Sequence, residues 1–404
     1  MTQSDEIRIG ERLRFYRNGR HKTQAAVAGL AGVSEDYLSQ IERGLKTPTI
    51  GLLHKFARIL GVQVSVLLGE PEFEQNGETH PVASELNRAM LSYGGPRTDV
   101  AVDLGELRNR VDAAWRVWQT SPNRYTQGAE IFPELVVDVQ TAARAFRAPG
   151  EAAERREAAR IASDMYFLLR TFAKRIGRTD LSLLAADRGI AAAYEADDPL
   201  RMAAAQWNLG HILLAQNEAE AAEAATLSAV EELRPRLDDG GEWVAMNGAL
   251  WLVAAVTAVR QGDAWTARDR LREQALPAAQ AVGEGNVMWT VFGPTNVDLH
   301  AMSIEMETGE AAVGLSIADR IDVTSSPSLE RQTTFYLELA RLNEQRRDDA
   351  AVLLHLMSAE ASGPEDLRYN LLAADLVRGL LKRARPSIAP QVRALAKRIG
   401  LVVP

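Results

Sequence analysis

Glu35, Asp36, Tyr37, Ser39, Gln40 and Arg43 bring two carboxylates, a phenol, a hydroxyl, an amide and a guanidinium into one short stretch of the chain. Together they offer acceptors, donors and one permanent cation. Leu38 and Ile41 fall among them three residues apart, so a helix over this stretch buries those two and turns the polar six outward or to its rim. A helix with such a free face suits the groove of duplex DNA, where base edges present donors and acceptors and phosphates present negative charge.

The elements that must hold this helix are legible around it. Ser34 stands where it caps the helix start, and Gly32 supplies the left-handed residue that ends a preceding helix, with Val33 plugging the turn. That preceding helix opens at Thr23, another side-chain cap, and buries Val27, Ala28 and Ala31, with Ala28 small where two helices cross. Ile9, Leu13 and Tyr16 mark an amphipathic helix before the pair. Thr49, after Pro48, caps one behind it that carries Leu52, Leu53, Phe56 and Leu60. Val64 to Leu68 adds a fifth. Five short helices around one core predict a complete small domain at 1–70.

The run Thr23-Gln24, a small helix, Gly32-Val33-Ser34, then Tyr37-Leu38-Ser39-Gln40-Ile41-Glu42-Arg43-Gly44 and Thr47-Pro48-Thr49 resembles the Cro/C1 (XRE) helix-turn-helix regulators, over roughly residues 7–69. The resemblance implies that Thr23, Gln24 and Ser34 belong to the DNA-facing ends of the two helices, with Gln24 at a backbone phosphate. It places Arg43, Lys46 and Thr47 at further phosphates, and Glu35, Asp36 and Gln40 at base edges, flanked by Tyr37 and Ser39. It also implies a structural ion pair between Arg17 and Glu42. The two acids depart from better-known members of the family. A carboxylate accepts from cytosine N4 yet repels phosphate, so the pair predicts a site rich in C·G contacts and a weaker electrostatic pull; alternatively the acids only complement the helix dipole.

Charge is divided unevenly. Residues 1–70 hold ten Lys/Arg against seven Asp/Glu, a balance of +3, in a chain of net charge −8, so the remainder carries −11. Nucleic-acid contact is therefore expected at the N-terminal end. With 404 residues and no cysteine, the chain requires at least one further domain and has no disulfide, thiolate or Cys-zinc chemistry. No secretory leader is expected at its start. Its longest uncharged apolar stretch, Trp243 to Val259, falls short of the ~20 residues of a bilayer span, so no membrane association and a cytoplasmic location are expected. The six histidines show no paired ligand spacing, and no nucleotide, zinc-protease or serine-hydrolase signature occurs; neither an enzyme nor a cofactor is expected.

Pro71 to Pro81 is polar, acidic and bounded by prolines, and reads as a linker. A short helix, Val82 to Tyr93, follows before Gly94-Gly95-Pro96 breaks the chain, so 71–100 is assigned to the connection. From there to 404 the sequence is Ala-, Leu-, Glu- and Arg-rich with apolar spacing of three and four, and the whole protein is expected to be all-α. Leu107 to Trp118, Tyr125 to Phe146, Arg155 to Ile176 and Leu181 to Tyr194 supply helical pairs. Leu209-Gly210 to Pro235, Trp251 to Leu271, Ala301 to Ile321 and Tyr336 to Pro364 repeat at tetratricopeptide-like spacing, with turn markers Asn217, Gly262, Gly309 and Arg347 standing 45, 47 and 38 residues apart. Stacked helix pairs bury their apolar faces only against neighbours, which predicts an irregular α-solenoid with a concave inner face.

By helical phase Trp207, Asn208, His211, Asn247, Trp251 and Asn296 are candidates to line that face, the amides pairing with a peptide backbone and the tryptophans holding apolar groups. The same aromatics equally suit a core position, and His211 a local hydrogen bond. The Gly-Pro within Phe292-Gly293-Pro294-Thr295-Asn296 must break or restart a helix. A helix-turn-helix head before a tetratricopeptide-like body resembles peptide-responsive regulators of the RRNPP group and large actinobacterial regulators. The expectation is a regulator that binds operator DNA as a homodimer, because one short helix meets few base pairs and two half-sites lie about 34 Å apart per helical turn, and whose array binds a peptide or small-molecule effector. The alternative is a docking scaffold for a protein partner, tethered to DNA by its head.

Overall fold

The computed structural model describes residues 3–19, 22–60, 67, 82–92, 103–146 and 151–401, and among these residues there is no strand. The chain divides into two compact units, Met1–Thr79 and His80–Pro404.

In the first unit, α1 (Gln3–Gly19), α2 (Gln24–Ala31), α3 (Glu35–Glu42) and α4 (Ile50–Leu60) enclose one core, in which Leu13, Val27, Leu38, Ile41, Phe56 and Leu67 are wholly buried. Both expected caps are formed. Thr23 Oγ1 accepts from the Ala26 N–H and Ser34 Oγ from the Tyr37 N–H, each at 3.2 Å, which satisfies donors that a helix start leaves free. Gly32 ends α2 at φ 75°, ψ 36°, and the Val33 N–H closes the turn on the Ala28 carbonyl at 3.0 Å. The tightest approach is elsewhere: a Cβ at Gly10 would lie 2.1 Å from the Ile41 carbonyl oxygen, so α1 crosses the end of α3 with no room for a side chain. Of the expected fifth helix, Leu67 is helical and buried. The rest of it, the Pro71–Pro81 linker and the Gly94-Gly95-Pro96 break lie outside the described residues.

The second unit begins with α5 (Val82–Leu91), α6 (Leu104–Thr120) and α7 (Arg124–Ala145). It continues as antiparallel pairs: α8 (Ala152–Arg175) with α9 (Thr179–Glu195), and α10 (Pro199–Ala215) with α11 (Ala219–Leu233). The next pair is α12 (Gly241–Arg260) with α13 (Ala264–Arg270), which passes through a π turn into α14 (Leu276–Val282). Then come α15 (Pro294–Glu307) with α16 (Ala311–Ala318), and α17 (Leu329–Gln345) with α18 (Asp349–Ser362). α19 (Pro364–Tyr369), α20 (Leu371–Arg383) and α21 (Ala389–Arg398) close the unit.

Five of these pairs turn in the same way. Gly177, Asn217, Gly262, Gly309 and Arg347 each take positive φ, and the next residue's N–H reaches a carbonyl five positions back at 2.8–3.0 Å (Arg178 to Ala173, Glu218 to Leu213, Asp263 to Ala258, Glu310 to Glu305, Asp348 to Asn343). This is the helix-ending turn that favours Gly or Asn at its left-handed residue. Close crossings repeat as well: a Cβ at Gly210 would meet Thr226 and Val253 at 2.8 and 2.9 Å.

Adjacent pairs pack on one another, giving a solenoid-like stack, and the stack returns on itself because α6 also meets α17. Trp115 of α6 stacks on Trp289 at 5.2 Å, with planes 2° apart. The loop that brings Trp289 there holds Met288, Trp289 and Val291 at φ 48°, 61° and 54°, a costly arrangement for side chains of this size. α15 starts at Pro294, where the helix was expected to restart. Glu284 Oε1 accepts from the Thr295 N–H at 2.8 Å, and Phe292 is fully buried over Gly248. α12 is long and apolar enough to cross a membrane by length and composition, but 67% of its apolar window is buried inside this unit, as a core helix.

Candidate functional site

The outward side of α3 is assembled from the residues singled out by spacing. Ser34, Glu35, Asp36, Arg43, Lys46 and Thr47 are exposed, as is Thr23 at the start of α2; Gln24, Tyr37, Ser39 and Gln40 are half-buried at the rim. Asp36 has a role that neither sequence alternative contained. Its Oδ2 accepts from Gln40 Nε2 at 2.7 Å, one helical turn along. The bond holds the Gln40 amide by one N–H and leaves its other N–H and Oε1 available. Lys46 is fixed too, with Nζ 4.8 Å from the centre of the Tyr37 ring, and Arg43 Nε donates to the Ser39 carbonyl at 3.3 Å. The outer side of α3 thus carries a restrained amide, and two located cations, Arg43 and Lys46, follow its C-terminal end.

Behind it lies the ion pair that the family resemblance implied. Arg17 Nε and Nη2 donate to the two oxygens of Glu42 at 2.6 and 2.9 Å, and both residues are buried. Arg17 Nη1 also donates to the Lys22 carbonyl at 2.9 Å, and this bonding to Glu42 raises the Arg17 pKa. Gln24, expected at a phosphate, gives an N–H to Glu42 Oε2 at 2.7 Å and keeps its second N–H. One buried carboxylate therefore ties α1, α2 and α3 together.

In the second unit the six proposed effector contacts fall on α10, α12 and α15. Trp207 and His211 meet edge to face at 4.4 Å. Trp251 is half-buried against the same apolar cluster as Trp207. Asn208 is buried and spends an N–H on the Ala204 carbonyl of its own helix at 2.9 Å, so in this conformation it is partly satisfied locally. Asn247 and Asn296 differ: each has a buried Oδ1 without a hydrogen-bond partner. The Asn296 carbonyl meets His300 Nδ1 at 2.8 Å. Burial holds the His300 imidazole down to about 4, and burial followed by nearby Arg170, Lys174 and Arg331 pushes His211 well below its ordinary value.

Trp207 and Asn208 also line a narrow crevice with Trp115, Phe167, Arg201 and Trp289. It adjoins an open cleft of about 550 Å³ whose walls carry Arg108, Arg160 and Arg201 against Glu157, Asp164 and Asp198. Those charges are engaged with one another. Arg108 bonds Asp164 and Glu157, Arg201 bonds Asp164 and Asp198 at 3.0 and 2.7 Å, and Arg160 reaches Asp198 at 3.2 Å. Such a lattice joins α6, α8 and α10. Sequence reasoning missed it because its members stand up to 93 residues apart, between Arg108 and Arg201.

Residues 8–67 match the family described as "Helix-turn-helix domain". The chain is 38% identical over 88 residues to the HTH-type transcriptional regulator SinR of Bacillus subtilis, spanning 21% of this chain and 79% of that protein. It is 39% identical over 62 residues to the immunity repressor protein of Bacillus phage phi105, spanning 15% of this chain and 43% of that one. Against the HTH-type transcriptional regulator RamB of Mycobacterium tuberculosis it is 31% identical over 105 residues, 26% of this chain and 20% of RamB. Among solved structures, Bacillus thuringiensis PlcR in complex with the peptide PapR7 and DNA is similar at 11% identity and TM-score 0.36, covering 86% of this chain and 99% of that one.

Proposed function

Because the chain belongs to the XRE-type helix-turn-helix transcriptional regulators, which bind DNA, we propose that it reads a specific operator as a homodimer and that its helical body binds an effector, a peptide or small molecule, that alters this binding. The observation that carries the DNA reading is the outer side of α3, where Asp36 holds Gln40 and the free N–H and Oε1 of that amide form the donor and acceptor pair that meets adenine N7 and N6. Arg43, Lys46 and Thr47 would set register on phosphates, with Thr23, Gln24 and Ser34 at the helix starts, and Glu35, Tyr37 and Ser39 would flank the contacted bases. In this reading Asp36 acts through Gln40, and the cytosine contact falls to Glu35.

Support for the effector reading is the acidic, solenoid-like body with its buried, unpartnered amide oxygens of Asn247 and Asn296. Dimerisation follows from the size of α3, eight residues long, which spans only a few base pairs.

Selection of duplexes from a random pool by the full chain, followed by binding of variants, tests the reading. Gln40→Ala is expected to relax base preference at one position of each half-site by about 1–3 kcal/mol. Lys46→Ala is expected to weaken all sequences alike and to lower the salt slope by about 1. Selection that returns no enriched sequence, or a Gln40→Ala protein with unaltered preference, would count against it.

A further inference from the structure

Five cations gather around Glu330, with Asp366 beside it, where α7, α8, α17 and α19 meet. Two of the cations are paired: Arg175 bonds Glu330, and Arg124 bonds Asp366 and lies 3.6 Å from Glu330. The other three, Arg170, Lys174 and Arg331, lie within the field of Glu330 but have no carboxylate within ion-pair distance among the described residues. Arg170 is the most exacting case. Its residue is 6% exposed, its side chain donates only to the adjacent Thr171 Oγ1, at 3.1 Å, and its buried Nε has no partner. A buried guanidinium ordinarily comes with a carboxylate, because removing the charge from water without one is strongly unfavourable.

Lys174 stands one helical turn beyond Arg170 on the same side of α8, and Arg331 comes from α17, more than 150 residues later in the chain. His211 of α10 lies within the field of all three, and His300 of α15 within that of Arg331. Residues of four helices therefore lie within electrostatic reach of this cluster, and it is open to solutes because Lys174 is exposed and Arg331 half-buried. Burial brings the Arg170 guanidinium down to about 10, and Arg170 and Arg175 repel the Lys174 ammonium. An anion would relieve both.

We propose that Arg170, Lys174 and Arg331 form a binding site for an oxyanion, the carboxylate or phosphate of the effector. The proposal rests on the reading of the body as an effector-binding array. Asn296, 3% exposed and one turn before His300 on α15, offers its unpartnered Oδ1 to an N–H of the same ligand.

The binding measurements use the full chain without DNA, and operator affinity is then measured with and without phosphate. Thermal melts and calorimetry are run with inorganic phosphate against sodium chloride of equal ionic strength, and phosphate is competed with a random heptapeptide pool bearing either free or amidated C-termini. Phosphate is expected to raise the melting temperature beyond the chloride control. Its Kd is expected to rise at least tenfold in Lys174→Gln and in Arg331→Gln, whose accessible positions leave folding intact by circular dichroism, and binding is expected to vanish in Arg170→Gln. Displacement by the free pool and not the amidated pool identifies a peptide carboxylate; phosphate retained against both identifies a small-molecule phosphate. Phosphate that stabilises no more than chloride, or that binds all three variants as it binds the native chain, overturns the site. Phosphate bound at these residues without any change in operator affinity leaves the site standing and removes the effector reading. An effector whose action on DNA binding is the same in Lys174→Gln and Arg331→Gln as in the native chain does the reverse.

Discussion

Replacing Glu42 with alanine is expected to unfold the N-terminal unit while leaving the DNA-facing side chains chemically untouched. The substitution strands Arg17, 9% exposed, and removes the acceptor shared by Arg17 and Gln24, so α1, α2 and α3 lose their common tie. Breaking a buried ion pair by deleting one partner costs about 3–5 kcal/mol. A domain of this size has about 3–10 kcal/mol in total, so the loss takes most or all of it. Denaturant titration followed by circular dichroism should show an early transition for Glu42→Ala that is absent in the native chain, with DNA binding lost in step. An alanine variant that melts like the native chain and still binds would show that the pair does not organise α3.

The second large effect is expected in the body. Arg124 is wholly buried; it donates to the Trp118 carbonyl at 3.0 Å, bonds Asp366, and stacks 4.3 Å over the Trp118 ring. It joins the start of α7 to α19 across 242 residues of chain. Arg124→Ala leaves Asp366 buried with its carboxylate unpaired, again about 3–5 kcal/mol. Burial already raises the Asp366 pKa, and the variant is expected to take up a proton there. Because the cost comes from the stranded charge, a second change, Asp366→Leu, should restore part of the stability lost by Arg124→Ala. Hydrogen exchange over 363–370 should quicken in the single variant and slow again in the double. A double variant less stable than the single would mean that packing of Arg124 on Trp118, not charge, holds the two segments together.

What was legible in the sequence was local. Caps at Thr23 and Ser34, the left-handed Gly32 and the buried spacing of Leu38 and Ile41 act within a few residues of themselves, so their types and spacing were enough. The repeating turns were visible for the same reason: a left-handed residue after a helix selects Gly or Asn, and at Asn217, Gly262 and Gly309 it did. Arg347 has no such preference and was recognised only by its place in the pattern. The bond between Asp36 and Gln40 is legible in principle, since positions four apart on a helix are neighbours, but the same carboxylates equally suit a base edge or the helix dipole. The long-range features were beyond reach. Nothing in the sequence brings Trp289 to Trp115, or Glu330 to Arg175, because those meetings depend on how far the stack of helix pairs turns before it returns. Helical phase also named Asn208 and Asn296 without telling that neighbouring helices bury them to 4% and 3% exposure.

The central claim, that the outer side of α3 reads duplex DNA, is tested most directly by the affinity of the full chain for its selected operator and for a scrambled duplex between about 50 and 200 mM salt. The predicted result is a preference for the operator that persists across the range, with affinity for both duplexes falling linearly on logarithmic axes as phosphate contacts through Arg43 and Lys46 release counterions. Equal affinity for the two duplexes, or binding indifferent to salt, would contradict it.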